Sequence, residues 1–141
     1  MDINQLSGKI IGAAIEVHKG LGPGLLESTY EECLCYEFKL SKMAYERQKT
    51  LPVVYKGVIK LDCGYRIDVI AENMIILELK ACEKIEPVHK AQLLTYPPAS
   101  PERERWRAGL KLSGLKLGLL INFNVPVLKD GIVRIVNQLE E

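Results

Sequence analysis

The sequence predicts an α/β fold, a mixed central β-sheet flanked by helices, on three observations. Two helical stripes of apolar residues precede residue 41. Between residues 45 and 80, short runs rich in Val, Ile and Leu alternate with turn signals, as in an antiparallel meander. A separate apolar run, Leu115 to Phe123, is reached only through helical material and is therefore expected to lie parallel to its neighbour by a right-handed crossover. A chain of 141 residues suits one domain, spanning 1–141, with one core. Its composition, 48% hydrophobic and 26% charged, is that of a globular protein and excludes a disordered or fibrous class. No run approaches the roughly 18–20 apolar residues of a membrane span. The first residues, MDINQLSGK, lack the basic segment and apolar stretch of a secretory signal, so a cytoplasmic protein without a membrane partner is expected. A net charge of +1 argues against a strongly basic nucleic-acid coat, but leaves room for local positive charge or for charge supplied by metal ions.

The elements follow in order. Leu6, Ile10, Ala13, Ala14 and Val17 form the stripe of a first helix over Asp2–Lys19, with Asp2 or Asn4 as its cap. Gly20-Leu21-Gly22-Pro23-Gly24 ends it. His18, near its C-terminus, suits either a dipole or core contact or a supporting role at a site. A second helix, about Leu25 to Leu40, repeats Glu27, Tyr30, Glu31, Leu34 and Phe38 at steps of three and four. Glu31 and Glu32 read as solvated. Glu27, beside the stripe, is explained by first-turn placement, where the helix dipole stabilises a carboxylate by about 0.3–1 kcal/mol, or by a site role. Tyr45 to Val54 reads as a strand interrupted at Pro52, hence at an edge or a bulge. Tyr55-Lys56-Gly57-Val58 is a turn, and Val58 to Cys63 leads through Gly64 into a hairpin. Pro87 opens a third helix, Val88 to about Tyr96, with His89, Gln92 and Tyr96 on one face. Pro97, Pro98 and Pro101 break it and define a loop insertion over 97–109. That segment suits three roles: placing Arg103, Arg105, Arg107 and the ring of Trp106 against nucleic acid, a solvated excursion of mixed charge, or self-association into a homodimer. Asn124-Val125-Pro126 ends the Leu115–Phe123 strand, Asp130-Gly131 turns, and Ile132 to Val136 is a last strand.

The chain is organised around Tyr65–Ala81, YRIDVIAENMIILELKA. Period-two alternation puts Ile67 and Val69 on one side of the first run, with Arg66, Asp68 and Ile70 on the other. In the second run it separates Ile75, Leu77 and Leu79 from Ile76, Glu78 and Lys80. Charged groups in runs built for burial need partners, because an isolated buried charge costs several kcal/mol. A three-residue turn over Glu72, Asn73 and Met74, with a left-handed residue at or near Asn73, brings Asp68 opposite Glu78. A two-residue turn separates them onto opposite faces. Opposed carboxylates destabilise a hairpin unless positive charge lies between them, which calls for a divalent metal ion or for Lys80 and Arg66. The four cysteines, at 33, 35, 63 and 82, fit no metal-ligand spacing and read as reduced core thiols.

Asp68, followed ten residues later by Glu78-Leu79-Lys80, resembles the D…(D/E)-x-K core of the PD-(D/E)XK nuclease superfamily. Gly24-Leu25-Leu26-Glu27-Ser28-Thr29-Tyr30 matches the G-x-x-E-x-x-Y of the GxxExxY proteins. AAIEVHKGLGPGLLESTYEE, ERQKTLPVVYKG, PVHKAQLLTY and LKLSGLKLGLLINFNVPVLKDGI resemble that family as well. The resemblance implies a restriction-endonuclease-like core and a metal-dependent nuclease that hydrolyses phosphodiester bonds of nucleic acid, DNA before RNA. It casts Asp68 and Glu78 as ligands of Mg²⁺ or Mn²⁺, with the Leu79 carbonyl and Glu27 completing the set, since all-oxygen ligation disfavours Zn²⁺. Lys80 would orient or deprotonate the attacking water, Gln92 would hold the site or substrate, and Tyr30, Arg66 and His89 would support it. In the family pattern QLLTY runs directly into LKLSG, so 97–109 departs from it. The alternative is a catalytically silent nuclease-fold protein that binds nucleic acid or a protein, its charges forming an ion-pair network.

Overall fold

The computed structural model describes residues 2–81 and 108–136, with 62–64 as backbone alone. Two helices lead. Helix α1, Ile3–Leu21, is capped by Asp2, whose carboxylate accepts from the Gln5 amide while the Gln5 side chain accepts from the Asp2 amide. Leu6, Ile10, Ala14 and Val17 form its buried stripe, as the spacing predicts. Helix α2, Glu27–Leu40, buries Tyr30, Leu34, Cys35 and Phe38, together with Glu31. Five strands follow: β1 Tyr45–Tyr55, β2 Ile59–Ala71, β3 Ile75–Lys80, β4 Leu117–Asn122 and β5 Ile132–Val136. They form one mixed sheet in the order β1-β2-β3-β4-β5, antiparallel except for the parallel β3–β4 pair. The α/β architecture with a restriction-endonuclease-like core is therefore present.

Two apolar clusters lie on opposite faces of this sheet. Val69, Ile75, Leu77, Leu119 and Ile121 pack against α1 and α2. Ile67, Ile70, Ile76, Leu120 and Ile135 form the other cluster, where Leu110 from the helical residues 108–113 joins them. Among the described residues no helix is long and apolar enough to cross a membrane. The third helix expected at Val88–Tyr96 and the insertion up to residue 107 lie outside the described residues.

The meander takes its register from two turns. Between β1 and β2, Lys56 and Gly57 both have positive φ, and the Val58 amide donates to the Tyr55 carbonyl at 3.0 Å, a tight primed turn that suits the strand twist. The register shifts between Leu51 and Val53, so Pro52 sits at an irregularity on an edge strand, where its missing amide costs little. Between β2 and β3 the loop is Glu72-Asn73-Met74, with φ of 51° at Glu72 and 54° at Asn73. Two contacts hold Glu72 in place: its amide donates to the Ala44 carbonyl, and its Oε2 accepts from the Ala44 amide at 2.7 Å. Strict alternation through β2 fails. Val69 packs on the α1/α2 side but Ile67 on the other, so the alternation breaks at Asp68. Across from it Gln48 adopts φ 52° inside β1, a left-handed conformation that interrupts the pleat.

At the far end, Gly131 lies against the β4 backbone, where an added Cβ would run into the Asn122 carbonyl oxygen. Gly131→Ala is expected to lower stability by about 1–3 kcal/mol, read as a reduced midpoint in urea unfolding.

Candidate active site

The three-residue loop carries the β2–β3 register as far as Val69 opposite Leu77, and the next residues of the two strands are Asp68 and Glu78. There the ladder ends. The Leu79 amide donates to Asp68 Oδ2 at 2.9 Å, so a side-chain carboxylate takes a main-chain donor where strand pairing stops. Glu78 is buried, 5% exposed, on the face that carries Ile76. Lys80, two residues on and half-buried, has that same strand face by alternation.

Lys80 is held from behind. In the parallel β3–β4 register it lies beside Asn122, a buried amide in an otherwise apolar strand, whose Oδ1 accepts from the Asn124 amide. The Phe123 amide donates to the Lys80 carbonyl at 2.9 Å. The Phe123 ring in turn stacks on Tyr30, centroids 4.4 Å apart and planes within 5°. Tyr30 is fully buried; its hydroxyl donates to the Gly22 carbonyl at 2.6 Å and accepts from the Leu25 amide at 3.1 Å. One aromatic residue thus joins the glycine-rich loop before α2 to the strand end that carries Lys80. His18 Nε2 lies 2.8 Å from the Val125 carbonyl oxygen and ties α1 to the chain just after β4.

The two helix acids separate. Glu27 is exposed in the first turn of α2. Glu31, one turn later, is buried rather than solvated. Its carboxylate accepts from Arg47 Nε at 2.8 Å and from Gln48 Nε2 at 3.0 and 3.2 Å. Arg47 also pairs with Glu32 at 3.0 Å, and these contacts hold its guanidinium firmly protonated. The left-handed backbone at Gln48 costs roughly 1–3 kcal/mol, and it aims that side chain at Glu31 from the position across from Asp68.

Burial pushes the Asp68 carboxyl above its ordinary pKa. The Leu79 amide opposes that rise, the Glu31 charge adds to it, and Lys80 and then Arg66 oppose it more weakly. Asp68 makes no ion pair among the described residues. Its nearby positive charges therefore leave burial uncompensated, unlike a closed ion-pair network. Among the described residues no three His, Cys, Asp or Glu side chains are grouped to hold a metal ion. The donor set on the strands is two hard carboxylates. It fits a cation such as Mg²⁺, which keeps several of its waters and needs only one or two protein carboxylates.

Glu31, Gln48 and Asn122 are absent from the sequence-level site. The signals for the last two were faint: a strand residue like any other, and a single amide closing an apolar run. Gln92, His89, Arg103, Arg105, Trp106 and Arg107 lie outside the described residues, and Arg66 is exposed on β2. Burial raises the thiol pKa of Cys35 to about 11, as expected of an inert core cysteine, and Cys33 is half-buried. The side chains of Cys63 and Cys82 are not described.

Asp68 thus stands where the β2–β3 ladder ends, bonded to the Leu79 amide, with Glu78 and Lys80 on either side of Leu79 in β3. A profile of the PD-(D/E)XK nuclease superfamily matches residues 4–135, and the chain belongs to that superfamily. Its members generally use divalent metals. No curated protein and no solved structure matches the chain.

The raised carboxyl of Asp68 makes a stability prediction. The folded state holds that proton more tightly than the unfolded chain does. The contribution of this group is therefore most favourable below the ordinary carboxylate pKa and declines as pH rises through the raised value. With divalent ions chelated, Asp68→Asn is expected to stabilise the protein at pH 7 by on the order of 1 kcal/mol. The gain should vanish toward acid pH, measured as the difference between wild-type and variant urea midpoints.

Proposed function

We propose that this protein is a metal-dependent nuclease that hydrolyses phosphodiester bonds of nucleic acid, and that within its superfamily it is one of the GxxExxY proteins. The observation that carries the reading is the Asp68 carboxylate taking the Leu79 amide where the β2–β3 ladder ends, with Glu78 and Lys80 on either side of Leu79 in β3. Asp68 and Glu78 would hold Mg²⁺ or Mn²⁺, with the Leu79 carbonyl as a main-chain donor and Glu27 as an outer carboxylate. When bound, the ion supplies charge neutralisation and lowers the pKa of a coordinated water.

The remaining work falls to side chains of the chain itself. The Leu79 amide fixes the Asp68 carboxylate, so its position does not depend on substrate. Glu31 is clamped by Arg47 and Gln48 and adds negative potential at Asp68, which favours occupation of the site by a cation. The Lys80 side chain orients the attacking water or, as the neutral amine, takes its proton; as the ammonium it stabilises charge growing on the phosphoryl oxygens. Tyr30, through Phe123, keeps the strand end bearing Lys80 in place. Gln92 and His89 would contact substrate or brace the site from the segment after β3.

The silent-fold alternative needs an ion-pair network that satisfies Asp68 without metal, and Asp68 makes no ion pair among the described residues. The test is a cleavage assay on mixed DNA and RNA substrates with Mg²⁺ or Mn²⁺ and an EDTA control. Wild type is expected to cut only with metal. Glu78→Gln is expected to lose about 100-fold or more in rate. Lys80→Ala should lose a similar factor while still binding Mn²⁺ in calorimetry. Undiminished cutting by Lys80→Ala would remove its assigned role.

A further inference from the structure

Beyond the catalytic face, β1 and β2 extend as a two-stranded arm. Strand β3 pairs with β2 only as far as Val69, so the strand pairing of Ile59–Tyr65 is with β1 alone among the described residues. Residues 49–65 carry Lys49, Lys56 and Lys60 against the single acid Asp62, a local charge of +2 in a chain of net charge +1. Lys49 pairs with Glu46 at 3.1 Å, while Lys56 and Lys60 make no ion pair among the described residues. The tip is apolar as well as basic. Val58 is 82% exposed, and Val54, Tyr55, Ile59 and Leu61 are each more than half exposed. Lys56 Nζ lies 5.4 Å from the centre of the Tyr55 ring, on a turn fixed by two left-handed residues.

We propose that this arm is a docking element for duplex DNA and that it enters the major groove on one side of the cut. The inference rests on the nuclease reading and specifies its substrate. Charge complementarity selects a polyanion, since a ribbon of net positive charge with Lys56 and Lys60 at its tip suits phosphates. Shape selects DNA. The major groove of B-DNA, about 12 Å wide, admits a two-stranded ribbon, whereas that of A-form RNA is too deep and narrow for side chains to read. Continuity supplies the reach. Strand β2 continues from the arm into Asp68 through the register shift opposite Leu51 and Val53, and the eleven steps from Gly57 to Asp68 span at most about 36 Å. That is within about one helical turn of duplex, so a single duplex can reach both the tip and the site. Lys56 and Lys60 contact phosphates, while Val58 and Tyr55 pack against sugar and base edges.

The test uses the full chain with Glu78→Gln to prevent cleavage, and fluorescence anisotropy on a labelled 30-base-pair DNA duplex and its RNA counterpart over a salt series. The expected result is tighter binding to DNA than to RNA. K56E/K60E should weaken DNA binding by about tenfold or more and reduce the slope of log K against log salt by about 2. K56A/K60A should shift both in the same direction by less, and V58D should weaken binding without changing the sedimentation coefficient. Unchanged DNA affinity and slope in both lysine variants would overturn the arm while leaving the nuclease assignment intact. A dimer that V58D converts to monomer at constant DNA affinity would assign the arm to a second copy and overturn the proposal. No nucleic-acid binding by Glu78→Gln, with no cutting by wild type, would overturn both readings together.

Discussion

The hydrogen bond from the Leu79 amide to Asp68 Oδ2 is the contact around which the candidate site is arranged. Strand pairing would ordinarily absorb such an amide. Here the ladder stops at Val69 and Leu77, and the amide goes to a side chain. The carboxylate is thereby fixed in a partly buried position, where ionisation is costly and a cation is favoured. The turn makes this possible. Glu72 and Asn73 both adopt left-handed backbone, and the odd-length loop sets the register that runs up to Val69 and Leu77, the residues next to Asp68 and Glu78.

A second device supports the first from behind the sheet. Glu31 on α2, Arg47 and Gln48 on β1, and Asp68 on β2 form a sequence of contacts and fields that joins helix, edge strand and site. Its backbone cost is concentrated at Gln48, a left-handed residue within a strand. Such conformations persist where surrounding contacts enforce them, and the bonds to Glu31 are of that kind. The Tyr30–Phe123 stack plays the matching part for Lys80 by joining the loop before α2 to the end of β4. The tyrosine and the buried acid of α2 thus reach two ends of the candidate site, and one helix registers both.

The readable parts of the sequence were those governed by periodicity and parity. The stripe of α1, Pro52 at an edge irregularity, the parallel Leu117–Asn122 strand and the odd-length turn all follow from local spacing. The rest depends on partners distant in sequence. Spacing places Glu27 and Glu31 on the same side of α2, and only the approach of Arg47 and Gln48 decides that Glu31 is the buried one. Alternation assigned Ile67 and Val69 to one face. It failed because the left-handed turn of Gln48 on the adjacent strand disrupts the pleat at Asp68, and no local pattern announces it. Asn122 was hidden for a similar reason, since its neighbour Lys80 belongs to another strand.

The central claim is that Asp68 and Glu78 together form a cation site. Isothermal titration of Mn²⁺ into wild type and into Asp68→Asn tests it without requiring a substrate. A single saturable site in wild type, lost in the variant while the variant stays folded, is the predicted result. No saturable Mn²⁺ binding to the folded wild type, or equal binding to both proteins, would contradict it.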